Sequence, residues 1–86
     1  MSTTAVRLAE TAVEDAQRRS RTAVADRIAV DQVISLARRH PVDVSLGAVL
    51  PVLDNLRQIA QEDDARASRD LDAACDALNA AEEAAR

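Results

Sequence analysis

The 86-residue sequence contains no Phe, Trp or Tyr, no Lys, and only one Cys, one Gly, one His and two Pro. Without aromatic rings the chain has no platform on which bases stack, and any core must be built from small aliphatic groups. Cys75 stands alone, which excludes an intrachain disulfide and a Cys-rich zinc module and suits a reducing compartment. Period-two alternation is absent, so strands are not expected. No run approaches the ~20 apolar residues that cross a bilayer. Arg7 and Glu10 interrupt the first ten residues before the apolar segment of a signal peptide has room to form. These absences together predict a cytoplasmic protein that does not associate with membranes.

Nine Val, eight Leu and three Ile supply the large side chains, and 48% of the residues are hydrophobic, which is too many for a disordered chain. Residues 1–86 are read as a single small domain. Its core is thin enough that self-association, or an obligate protein partner, is expected to complete it. Net charge is −4, but residues 1–43 carry seven Arg against six acids and residues 44–86 carry four Arg against nine. Unlike halves of this kind suit two segments lying against each other.

From residue 5 to residue 39 no Gly or Pro interrupts the chain, so one long helix is predicted there. Val6, Ala9, Val13, Ala16, Ser20, Ala23 or Val24, Val30, Ile34 and Ala37 are spaced by threes and fours and mark one buried stripe, as in a coiled coil. Around Ser20 only small groups are available, so close approach of another helix is expected. Pro41 disfavours helical geometry at His40, and residues 40–50 are read as a turn. A second helix is predicted over 51–85, with Pro51 in its first turn. Its stripe runs through Val49, Leu53, Leu56 and Ala60, fails at Glu62, Asp63 and Asp64, and resumes at Ala67, Leu71, Ala74, Leu78 and Ala81.

The fold class is therefore all-α, a long antiparallel hairpin of two helices of about 35 residues that associates into a helical bundle. A three-helix unit broken near 61–64 is the alternative. In the hairpin a residue i faces one near 90 − i, which sets Arg7 opposite Glu83, Arg18 opposite Asp72, Arg27 opposite Asp63 and Arg38 close to Asp54.

No catalytic constellation, cofactor site or metal site is found in the sequence. His40 is the only imidazole, and Cys75 at helical spacing from Leu71 and Leu78 reads as a small packed residue. The candidate interface residues are the larger members of the stripe: Val13, Ile34, Leu53, Leu56, Leu71 and Leu78. Arg18, Arg19 and Arg21 form the densest basic cluster and are the candidate anion-binding group. Acidic neighbours and the missing aromatics favour a solvated face there, and nucleic acid is not an expected partner.

One stretch resembles a known family. Ala25-Asp26-Arg27-Ile28-Ala29-Val30, then Ala37-Arg38, then Pro41-Val42-Asp43, looks like the end of the first helix and the following loop of all-helical chorismate mutases. The resemblance spans residues 25–43. It implies a three-helix chain closed into an intertwined dimer, with Arg27 and Arg38 at the positions that bind substrate carboxylates. Gly47-Ala48 stands where that family carries an Arg-Glu pair, and Glu10 near where it carries an Arg, so a degenerate enzyme or pseudoenzyme is the function it implies. The segment Arg27-Ile28-Ala29-Val30-Asp31-Gln32 also resembles helical RNA-binding antiterminator domains, which implies a small nucleic-acid-binding regulator. The residues by themselves point to a non-enzymatic assembly module that forms a homo-oligomer, a dimer in the first instance, or binds an obligate partner.

Overall fold

A computed structural model describes residues 2–39 and 44–86, with side chains placed for 3–39 and 48–86. Two helices, α1 (Ser2–Arg39) and α2 (Val44–Ala85), form an antiparallel hairpin 64 × 13 × 13 Å in extent. At about 1.5 Å per residue the 42 residues of α2 extend roughly 63 Å. The molecule is thus as long as its longer helix, and the two helices pack side by side along their lengths.

The burial pattern shows how they pack. Buried and half-buried positions on α1 include Val6, Ala9, Val13, Ala16, Ser20, Ala23, Arg27, Val30, Ile34 and Ala37. Those on α2 are Leu50, Leu53, Arg57, Ala60, Asp64, Ala67, Leu71, Ala74, Leu78 and Ala81, joined by Cys75 beside them. Both series alternate steps of three and four without a break, the heptad pattern of a coiled coil. Three ion pairs fix the register: Arg27 Nε to Asp64 Oδ2 at 2.9 Å, Arg57 Nε to Asp31 Oδ1 at 3.1 Å and Arg38 Nη2 to Asp54 Oδ1 at 3.6 Å. This register sets Ala16 level with Ala74 and Ala23 level with Ala67, small residue against small residue. Among the described residues the buried apolar set is Ala16, Ala23, Ile34, Ala37, Ala60 and Ala67. The small residues on either side of Ser20, Ala16 and Ala23, are both buried, and Ser20 itself is half-buried.

Several expectations need correction. The second helix starts by Val44, where the sequence suggested a turn continuing to residue 50. Pro51 therefore lies two turns inside α2, where it lacks the N–H that would bond the carbonyl of Gly47 and its ring crowds that carbonyl; the packing of the long seam outweighs both costs. His40, Pro41 and Asp43 lie outside the described residues.

The break considered near 61–64 does not form, because each acid there has a use within a continuous helix. Glu62 accepts a hydrogen bond from Gln58 Nε2 at 3.4 Å, Asp63 pairs with Arg66 at 3.5 Å, and Asp64 crosses to Arg27. The apolar stripe is interrupted at a charged layer that belongs to the seam.

Val49 and Leu56 are 43% and 45% exposed and do not belong to the seam. Stepping back from Ala60 in phase with the rest of α2 reaches Arg57, Leu53 and Leu50, which leaves Val49 and Leu56 on another face.

The contact atoms of Arg27, Asp31 and Arg57 are shielded from solvent without an aligned hydrogen bond, while the side chains as wholes remain partly exposed. The arginine tips reach water while the Nε atoms sit in the seam. Removing one partner strands the other's charge. Asp64→Ala is expected to lower stability by about 1–2 kcal/mol in urea titration, a buried-pair effect discounted for the partial exposure of both groups. Joint replacement of Arg27 and Asp64 by Leu is expected to raise the midpoint instead. Equal stability of Asp64→Ala and the unaltered chain would show that the charged layer contributes nothing.

Candidate interaction surface

The two long sides of the hairpin differ in chemistry. One side carries the ionic contacts: Arg38 with Asp54, Arg57 with Asp31, and an open groove lined by Arg27, Gln61, Asp64, Ala65 and Ser68. The opposite side carries a second groove floored by Ala23 and Ala67. Arg18, Arg19, Thr22 and Asp26 of α1 border it, facing Asp63, Arg66 and Asp70 of α2.

The residues around the second groove show which positions of the two helices share a side. Continuing from Asp26 by threes and fours reaches Ala29, Val33 and Leu36; continuing back from Asp63 reaches Ile59, Leu56, Val52 and Val49. The six large aliphatic residues in this set are each 43–58% exposed. They are on one face, at the turn-proximal half of the hairpin. Among the described residues the other exposed large apolar side chains are Leu8, in phase with this face near the open end, and Ile28, on the ionic side next to Asp31 and Gln32. Scattered apolar residues on a surface need no explanation, whereas a contiguous stripe spanning two helices marks an interaction site.

The sequence-derived interface residues divide. Val13, Ile34, Leu53, Leu71 and Leu78 face the seam within the hairpin, and only Leu56 belongs to the outer stripe. Its neighbours Val33, Leu36, Val52 and Ile59 were missed. The signal for them was present, since Val49, Val52, Leu56 and Ile59 have the same three-four spacing as a seam.

The candidate anion-binding arginines do not converge. Arg18 pairs with Asp15 in its own helix at 3.2 Å, and Arg19 borders the groove of the opposite side. Arg21 is exposed, about 160° around the helix from Arg19 at 100° per residue. Arg27 and Arg38 each face an aspartate across the seam, so an anion would have to displace a carboxylate from each. Among the described residues no group of three His, Cys, Asp or Glu side chains converges as a metal site. Cys75 is a half-buried free thiol. No helix of the described residues is long and apolar enough to cross a membrane. No family model, curated protein or solved structure matches the chain.

Because Arg18, Arg19 and Arg21 diverge, replacing all three with Gln is expected to leave helicity intact and change stability by less than about 1 kcal/mol, measured by circular dichroism during urea unfolding. A larger loss would show that the cluster is a structural anchor of α1.

Proposed function

We propose that the protein is a non-enzymatic assembly module, a helical hairpin whose outer apolar stripe binds another protein, in the first instance a second copy of itself. The observation that carries this reading is the exposure of Val33, Leu36, Val49, Val52, Leu56 and Ile59 on one face. The seam supports it too: its buried set is five alanines and one isoleucine. A core of that size leaves an 86-residue chain dependent on further burial. Covering the stripe supplies it at about 1.5–3 kcal/mol for each large side chain fully removed from water.

The module needs no cofactor for this role. Its arginines are engaged with neighbouring aspartates or diverge over the surface, which favours a protein partner over phosphate polymers. A lone thiol without a disulfide partner suits work in the cytoplasm.

Self-association makes stability depend on concentration. The purified chain is expected to show a molar mass of twice the single chain by light scattering, and a melting temperature that rises with protein concentration. The mass of one chain, together with a cooperative melt that does not change on dilution, would overturn the reading.

A further inference from the structure

The face that carries the stripe also carries a charged belt, and the two together specify how a second copy sits. Along α1 this face reads, from the open end toward the turn, Arg19, Thr22, Asp26, Ala29, Val33 and Leu36. Along α2 the levels that run beside them hold Asp70, Arg66, Asp63, Ile59, Leu56 and Val52. Beyond the belt, toward the open ends, the same positions hold Asp15, Ala12 and the exposed Leu8 on α1 and alanines such as Ala73 and Ala77 on α2. Six large aliphatic groups are therefore gathered in one half of the face and charges about its middle, while the other half holds mainly small groups with Leu8 as the one large residue among the described positions.

Two symmetric ways exist to lay this face on a copy of itself. With the two-fold axis across the hairpin, the turn end of one copy lies on the open end of the other, and each helix stacks on its own equivalent. That arrangement sets Asp63 against the partner's Asp70 and Arg66 against the partner's Arg66. It also sets most of the large aliphatic groups against alanines and Val33 near the partner's Asp15. With the axis along the hairpin, turn ends lie together and α1 stacks antiparallel on the α2 of the other copy. Arg19 then meets the partner's Asp70, Thr22 meets the partner's Arg66, Asp26 comes level with the partner's Asp63, and Val33 and Leu36 meet the partner's Leu56 and Val52. Large groups pack against large groups, the Arg19–Asp70 contact forms twice, and Asp63, level with the partner's Asp26, keeps Arg66 of its own helix at 3.5 Å.

Resting on the assembly reading above, we propose that the occupant of this face is a second copy of the chain in that second arrangement. The dimer is a four-helix bundle with both turns at one end, its core centred on Val33, Leu36, Val52, Leu56 and Ile59, and its alignment set by Arg19 and Asp70. The available area is adequate. A face of 64 × 13 Å, traced at the backbone, offers roughly 800 Å² per partner, the size of a standard stable interface. Charge in the middle of an otherwise apolar face also selects alignment, because a shifted copy would bury Asp26 or Arg66 against aliphatic groups.

The test uses the full chain carrying Cys75→Ala and Ala48→Cys, the latter an exposed position at the turn-proximal end of α2 that lies away from the stripe. Spin labels on the single thiol of each copy are expected within about 30 Å of each other, the width of a four-helix bundle plus the labels. The crossed arrangement places them about 55 Å apart, from some nineteen residues on either side of the centre at 1.5 Å each. A dimer with the longer distance overturns the proposed alignment and leaves the assembly reading standing. A monomer at every concentration overturns both. Leu56→Asp is expected to abolish the dimer while helicity is retained at high concentration, and Ile28→Asp, on the ionic side, is expected to leave it intact. The reverse result would move the interface to the ionic side and overturn the assignment of the face. Should Leu56→Asp lose its helicity, Leu56→Ala serves instead, with a weakened dimer expected and an undiminished one contradicting the proposal.

Discussion

Everything in this hairpin follows from keeping one heptad phase unbroken along both helices, with the charged layer of Arg27 and Asp64 accepted inside it. α2 has two stripes to choose from at its start. One is wholly aliphatic, Val49, Val52, Leu56 and Ile59; the other contains Arg57 between Leu53 and Ala60. The chain buries the second, because only that one stays in phase with Ala67, Leu71, Ala74, Leu78 and Ala81 further along. A change of phase at residue 60 would require inserting or deleting a residue's worth of rotation, which locally unwinds a coiled coil. The cost of continuity is two arginines in the seam, each met by an aspartate of the other helix.

The same constraint leaves the better hydrophobic stripe outside. Alanine layers such as Ala16 with Ala74 let the helices approach closely, but they bury little area per layer. Among the described residues Ile34 is the one large side chain in the buried set. An inner seam poor in large groups and an outer stripe rich in them leave much of the chain's large aliphatic surface outside its own fold. The ionic side and the apolar side then follow as the two flanks of the seam.

Much of this was legible in the residues. Absence of Gly and Pro, three-four spacing and the unlike charge of the halves led to the hairpin, to its register and to the pairing of Arg38 with Asp54. Other pairs shifted for local reasons. Arg27 reaches Asp64, which lies in the seam, while the adjacent Asp63 turns to Arg66; Arg18 turns to Asp15 within its own helix. The outer stripe was hidden because Val49 and Leu56 lie within one residue of seam positions, and apolar residues draw a stripe toward themselves when charge is taken as a mark of the surface. Arg57 and Asp64 are seam residues that charge alone disguises. Pro51 was likewise read as a start signal, although a long packed helix tolerates it two turns in.

The antiparallel register within one chain is the claim on which the two faces and the dimer rest. It is tested most directly by the distance between spin labels at Gln17→Cys and the native Cys75, which the register places level on the ionic side, away from the apolar stripe. In a sample diluted with unlabelled protein, so that only pairs within one chain contribute, the separation is expected to be roughly 10–20 Å for neighbouring helix surfaces. A separation above about 30 Å would mean that α1 and α2 of one chain do not lie together in this register, and the assignment of seam, ionic side and apolar face would fall with it.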